Sequence, residues 1–450
     1  MNLKSICFYF TMITAFASCD SQPTSDFTST NSTSTIKIMN LVPGHFHAGL
    51  IHKNMYPEVD STISVFARQG PELADYLNRI AGYNTRSDDP TGWKLDVNLS
   101  EDPLEAMIKS KPGNVMVVAG KNDEKIDYIL EAIKQGIHVY ADKPLVINQE
   151  GFTKLEEAFS LAEQNDLLLF DIMTERYEIT SILQKRLSQV EAIFGIQEKG
   201  TTENPGISKQ SVHHFFKYVS GKPLVRPAWF FDSQVEGDGL VDVTTHLVDL
   251  IQWTLFPEEN LQFEDVEMHS ARRWPTPLSA EQFFTVTGEK LVGDQLTPNC
   301  NGDMHYSLRG VHAKVSVIWE FQAPEGAGDT HYSIMRGSKA NLRIMQGEAE
   351  GYVPQLFVEL LDNQAEALEN LIETEFQDDF PGLGFEIVNS KTYKLVIPES
   401  YRNGHEAQFG QVTDQFLEYF SKGQLPQWEK DFIRVKYYTT TLASEMAQAK

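Results

Sequence analysis

The apolar run IHVYA ends in Asp142-Lys143-Pro144, which places a lysine between a carboxylate and a proline. Proline fixes its own φ and pushes the preceding residue out of the helical region, so Lys143 is expected to stand extended at a strand end. A partly desolvated ammonium there can act as an acid, a base or an electrostatic anchor. A solvated lysine in a crossover turn is the plainer reading. A second group is Asp242 and His246, four residues apart on the helix expected over 242–253, with Asp249 three further on. That spacing puts them on one helix face. A carboxylate there can poise an imidazole for proton transfer, although a hydrogen bond within the helix would use the same spacing. The third group is His45-Phe46-His47 in LVPGHFHAGL. Two histidines at this spacing can share a metal where the chain turns, given a third ligand such as His52, His213, His214 or His246.

The elements that must position these residues alternate. IKIMNLV, STISVFA, NVMVVAG, HVYADKPL and LLLFDIM read as strands, and PELADYLNRIAG, DEKIDYILEAIKQG and GFTKLEEAFSLAEQN read as helices. Strands that are apolar throughout imply a parallel sheet covered on both faces, so 36–170 reads as a doubly wound α/β domain. Ligands bind such sheets at the carboxyl ends of strands. The polar ends here are Pro43 to His47, Gly120-Lys121-Asn122 and Asp142-Lys143-Pro144. Over 171–450 the pattern changes to alternating or aromatic strands, expected at 226–232, 262–269, 305–309, 312–321, 331–335, 341–345 and 355–361. With helices at 242–253, 405–421 and 428–448, this half reads as an α+β domain on a mostly antiparallel sheet. The stretch holding His213, His214 and Lys217 reads as a polar loop. With Arg176 and Asp249, these three are the substrate-binding candidates.

An apolar fraction of 41% and a charged fraction of 22% are those of a water-soluble fold. The net charge of −25 disfavours nucleic acid, whose phosphates it would repel. Residues 1–18 read as a signal peptide: Lys4, then ICFYFTMITAFA and Ser18, with Cys19 next. Phe16-Ala17-Ser18-Cys19 resembles a bacterial lipobox, which implies cleavage before Cys19, its lipidation, and a cell-envelope location. Residues 19–35, rich in serine and threonine, read as a tether. With Cys7 removed and Cys19 lipidated, Cys300 is left without an intrachain partner.

Taken in order, the strand–glycine turn–helix opening, NVMVVAGKNDEKIDYILEAIKQGIHVYADKPL and GDGLVDVTTHLVDLIQW resemble the glucose-fructose oxidoreductase/inositol dehydrogenase (Gfo/Idh/MocA-like) family. The closing NGHEAQFGQVTDQFLEYFSKGQLP is similar too. The family's Glu-Lys-Pro reads Asp142-Lys143-Pro144 here, and its Asp and His four residues apart fall on Asp242 and His246. The resemblance implies a Rossmann-type domain holding NAD or NADP and a sugar or glycoside bound between the domains. Lys143, Asp242 and His246 would surround the carbon that exchanges hydride. Cofactor contacts would come from Gly44, His45, Phe46, His47, Arg68, Gly120, Asn122, Asp142, Lys143 and Pro144. The dinucleotide fingerprint is eroded, because its three glycine positions fall on Val42, Gly44 and His47. The acidic residue expected to hold the ribose is absent, and Arg68 stands where a 2′-phosphate could be met. Free nicotinamide cofactor is scarce outside the cytoplasm, so a secreted member is expected to hold it tightly. It would then regenerate the cofactor within one cycle, as in transient oxidation, elimination or epimerisation. The alternatives are a carbohydrate-binding lipoprotein that has lost its chemistry and a metal-dependent sugar enzyme using His45 and His47. The family also implies a homo-oligomer, a dimer or tetramer.

Overall fold

The computed structural model describes residues 35–219, 222–325 and 327–449. The signal peptide, Cys19 and all but the last residue of the tether lie outside the described residues. Residues 35–450 form a single compact unit. No described helix is long and apolar enough to cross a membrane.

The first half builds a six-stranded parallel sheet from β1 (Ile38–Leu41), β2 (Thr62–Ala67), β3 (Lys94–Leu99), β4 (Val115–Val118), β5 (His138–Asp142) and β6 (Leu169–Ile172), in the order β3-β2-β1-β4-β5-β6. Every residue of β1, β4 and β6 is buried, as strands covered on both faces must be. The crossovers are α2 (Pro71–Thr85), α3 (Pro103–Ser110), α4 (Asn122–Lys134) and α5 (Gln149–Gln164). The helix after β1, α1, is a single turn, His47–Leu50. The direction of winding reverses between β1 and β4, so their carboxyl ends flank the crevice where such sheets bind ligands.

After α6 (Ile179–Ser188), the second half builds a nine-stranded sheet around β7 (Ile207–Phe216). Its order is Val266–Trp274, Asn301–Leu308, Val311–Gln322, β7, Thr330–Arg336, Ala340–Met345, Gln355–Leu360, Thr392–Val396 and Gly384–Asn389. Neighbours are antiparallel except β7 and Val311–Gln322. The stretch expected to be a loop around His213 is therefore a strand inside this sheet. Polar residues conceal it, because Lys209 and Ser211 are buried and satisfied there. The strand expected at 226–232 is instead a 3₁₀ turn, Ala228–Phe231, entered through Pro227. Its apolarity serves packing of Phe230 and Phe231 against Trp319 and Phe215. Helix α7 (Thr244–Leu255) packs on the sheet.

The closing helices, His405–Lys422 and Gln427–Gln448, bind the two halves together. Phe409, Phe416 and Tyr437 enter the core around the parallel sheet, while Phe432, Val435 and Ala443 enter the core of the second sheet.

Candidate functional site

The turn after β1 shows how the eroded fingerprint is rebuilt. Val42, at the first glycine position, has a φ of 45°, a left-handed conformation that costs a β-branched residue on the order of 1–3 kcal/mol. The turn therefore keeps a glycine-like path without the glycine. At the facing end of β4, a side chain on Gly120 would bring Cβ to 2.7 Å from the Val42 carbonyl oxygen, so only glycine fits. The amides of Gly44 and His45 both donate to the Ala119 carbonyl at 3.0 Å. They do not offer an open phosphate cradle, and four-residue α1 is too short to supply a helix-end field.

The same turn delivers two imidazoles to the end of β5. His47 Nδ1 lies 3.0 Å from Asp142 Oδ2 and 3.1 Å from Oδ1. His45 Nδ1 lies 3.4 Å from Oδ2, outside hydrogen-bond geometry, and is buried without a partner. Burial lowers both histidines below the usual imidazole range, His47 the further, which favours their neutral forms. Burial works against the Asp142 charge, but His47, His45 and the Lys125 ammonium outweigh it and hold its carboxyl well below the ordinary range. Lys125 Nζ also anchors this strand end, donating to the backbone carbonyls of Asp142 at 2.9 Å and Pro144 at 3.0 Å.

Lys143 reaches across to Asp242, with Nζ 2.5 Å from Oδ1 and both side chains about nine-tenths buried. Burial alone would lower the ammonium, but Asp242 and then Asp142 overcome it and the net shift is upward. Lys143 is thus a fixed positive charge at neutral pH rather than a base. The expected Asp242–His246 partnership does not form. Asp242 precedes α7, its carboxylate is taken by Lys143, and His246 Nδ1 is buried without a hydrogen-bond partner. Burial, and next the Lys143 charge, hold His246 well below the usual imidazole range. It is a neutral imidazole with nitrogen capacity unused inside the protein.

These groups line one cavity of about 1120 Å³ between the carboxyl ends of the parallel strands and one face of the second sheet. The opposite wall is polar. Asp329 accepts from His213 Nδ1 at 3.1 Å and Lys217 Nζ at 2.6 Å, and His213 meets Ser211 through its other nitrogen. Burial disfavours ionised Asp329, yet His213, His214 and Lys217 pull its carboxyl far below the ordinary range. Glu175 is pushed up to about 7, chiefly by burial and then by Glu178. A narrower pocket of about 260 Å³ holds Arg68 and meets the main cavity at Gly120 and Trp229, which line both. Arg68 Nε donates to the Glu101 carbonyl at 2.9 Å. Trp229 Nε1 donates to Glu72 at 3.1 Å where the two pockets meet.

The main cavity therefore gathers His45, Phe46, His47, Gly120, Asn122, Asp142, Lys143, Asp242, His246, His213 and Lys217. Gly44 and Arg68 belong to the narrower pocket. Pro144 does not line the cavity; it supplies the carbonyl that Lys125 holds. His214 lies beneath the wall, bonded to Asp329. Arg176 and Asp249 are not at the cavity, contrary to the expectation. Arg176 pairs with Asp249 and Glu429, and Lys436 pairs with Asp249 and Asp171. The arginine's charge is used to satisfy buried carboxylates. His52, a possible third metal ligand, lies apart from the cavity against Asn40 and Trp93.

Sequence reasoning missed Glu236, Asp329 and His405. Glu236 stands beside the glycine turn and accepts from Asn122 Nδ2 at 3.0 Å; burial, and then Asp242, push its carboxyl well above its usual value. Its place directly before Gly237-Asp238-Gly239 was the available signal. Asp329 lies in a loop and is paired through tertiary contacts, which no local spacing shows. His405 opens a late helix and lines the cavity, its ring 5.4 Å from that of His47.

Residues 183–448 match the family described as "Putative oxidoreductase C terminal domain". Among solved structures, a "putative oxidoreductase" from Parabacteroides merdae is 46% identical, with a TM-score of 0.89 over 92% of this chain and 98% of that one. KijD10, a 3-ketoreductase from Actinomadura kijaniata solved with NADP and TDP-benzene, is 14% identical, with a TM-score of 0.55 over 92% of this chain and 97% of its own. Levoglucosan dehydrogenase, solved with NADH and L-sorbose, is 13% identical, with a TM-score of 0.59 over the same shares. At such identities these last two establish the shared fold. No curated protein matches the chain.

Proposed function

From the premise that this chain belongs to the Gfo/Idh/MocA-like oxidoreductases, we propose that it oxidises a hydroxyl of a sugar or glycoside, using a nicotinamide cofactor. The observation that carries the reading is the juxtaposition, in one cavity at the strand ends, of a fixed ammonium, Lys143, and a neutral imidazole, His246.

The residues present fit a dinucleotide. The narrower pocket has the size and place for an adenosine end, with Arg68 suited to a 2′-phosphate, and it opens past Gly120 toward Lys143. With the Gly44 and His45 amides already bonded, the pyrophosphate would rely on a side chain such as Lys121. When bound, the nicotinamide supplies hydride exchange with the substrate carbon. Lys143, held by Asp242, orients the reacting hydroxyl and stabilises negative charge as it develops on that oxygen. His246 takes the hydroxyl proton on its unpartnered nitrogen. Asp329, His213 and Lys217 supply charged and polar partners for the remaining hydroxyls. The Trp229–Glu72 contact favours slow exchange and hence tight binding of the cofactor, as a lipid-anchored envelope enzyme that recycles its cofactor would need. Both the envelope location and a homo-oligomeric assembly are part of this reading, testable by fractionation and light scattering.

A catalytically silent sugar-binding protein is favoured by one observation, the loss of free amides in the turn. Denaturing the purified protein and identifying released nucleotide by mass spectrometry separates the two. About one NAD(H) or NADP(H) per chain, or saturable uptake on titration, supports the oxidoreductase. No nucleotide by either route leaves the binder.

A further inference from the structure

We propose that His45, His47 and Asp142 form a binding site for one divalent first-row transition-metal ion, opening onto the cavity. Three elements meet there: the turn after β1 brings His45, the start of α1 brings His47, and the end of β5 brings Asp142. One ligand atom from each lies within 4.8 Å of the other two, the only such group among the described residues. Ligand atoms about 2.0–2.2 Å from a common ion are about 3.0 Å apart at a right angle and about 3.4 Å apart at the tetrahedral angle. The two imidazole nitrogens lie 3.0 and 3.4 Å from Asp142 Oδ2, spacings typical of a metal's ligand shell.

Hydrogen bonding alone accounts for only part of this arrangement. His47 is satisfied by Asp142, but His45 Nδ1 is buried 3.4 Å from the same oxygen without hydrogen-bond geometry. An ion between the three groups would give that nitrogen a partner. The donors, two imidazoles and one carboxylate, suit manganese, iron, cobalt or zinc in the divalent state rather than calcium or magnesium. Three protein ligands at a cavity wall leave coordination positions for water or a substrate oxygen, the arrangement of catalytic rather than structural sites. The Lys125 contacts to the backbone of Asp142 and Pro144 fix the strand end that carries the carboxylate. The site adds a Lewis acid to the main cavity, whose wall carries its donors beside Lys143, and metal binding there is measured separately from nucleotide binding.

The test is titration of the metal-stripped protein with Co²⁺, followed by visible absorbance and by metal analysis after gel filtration. One Co²⁺ per chain is expected, with affinity reduced more than about 100-fold in His47→Gln and Asp142→Asn, beyond the loss typical of outer-shell changes. His45→Gln is the deciding variant should either of those fail to fold, since its Nδ1 makes no hydrogen bond whose loss would cost stability. His305→Gln, in the separate His269–His305–His312 group whose rings lie 5.1 to 5.2 Å apart, should leave binding unchanged. The inference is overturned if no stoichiometric Co²⁺ binds, if His45→Gln binds it as tightly as the parent protein, or if His305→Gln loses it. Nucleotide uptake measured on the same samples keeps failure of the metal site distinct from failure of the oxidoreductase reading.

Discussion

His246 and Lys143 divide the work by charge, and that division can be tested one residue at a time. Replacing His246 with Gln should lower kcat by about 10²–10⁴-fold, the usual worth of a positioned base, with KM little changed. Lys143→Met removes the ammonium and leaves Asp242 without its ion partner, so kcat should fall while Lys143→Arg recovers part of the loss. A larger change in KM than in kcat for both would assign them to binding alone. Burial holds His246 well below 6.5, so it stays a competent proton acceptor as pH falls through that value. The acid limb of the kcat/KM profile should therefore lie well below pH 6.5. A limb at the ordinary histidine value would contradict the assignment.

At the level of elements, the turn after β1 holds the sharpest contrast. Val42→Gly should be neutral or stabilising, because the left-handed backbone at 42 already suits glycine. Gly120→Ala should cost about 1–3 kcal/mol, as a new Cβ meets the Val42 carbonyl. Thermal melts of the two variants check both. His52, just after α1, carries a pH effect. Burial lowers it from 6.5 to about 3, so below pH 6.5 the unfolded chain takes a proton that the folded protein refuses. Its contribution to stability is intact above pH 6.5 and declines by about 1.4 kcal/mol per pH unit below it. Denaturant midpoints between pH 7.5 and 5 should fall less steeply for His52→Asn than for the parent protein.

The same elements show what the sequence made visible. The parallel sheet was legible because β1, β4 and β6 are apolar throughout, and Lys143 was placed at a strand end by the proline that follows it. Strand β3 was not, since KLDVNL is a largely exposed edge with no apolar run to mark it. Strand β7 was hidden by its buried polar residues, and Arg176 and Asp249 resembled substrate ligands because charge alone does not reveal a buried partner. Asp329 and Glu236 joined the site through tertiary pairing, which local spacing does not carry.

In the molecule as a whole, the two halves share their last helix, and the ion network of Arg176, Asp249, Glu429, Lys436 and Asp171 ties that helix to β6, to the turn after it and to α7. Arg176→Met would strand the nearly fully buried Glu429 carboxylate and leave Asp249 with Lys436 as its one ion partner, at a cost of about 3–5 kcal/mol. Differential scanning calorimetry should show one transition in the parent protein and one, at lower temperature, in the variant. Two separated transitions would mean that the halves unfold independently. The central claim, that this cavity oxidises a sugar hydroxyl, is tested most directly by rapid mixing. The nucleotide-loaded protein would be mixed with pooled sugars and glycosides while the absorbance of reduced nicotinamide is followed. The account predicts a rise that reaches up to one equivalent per chain and is absent in Lys143→Met. Saturable sugar binding with no such signal in the loaded parent protein would contradict it.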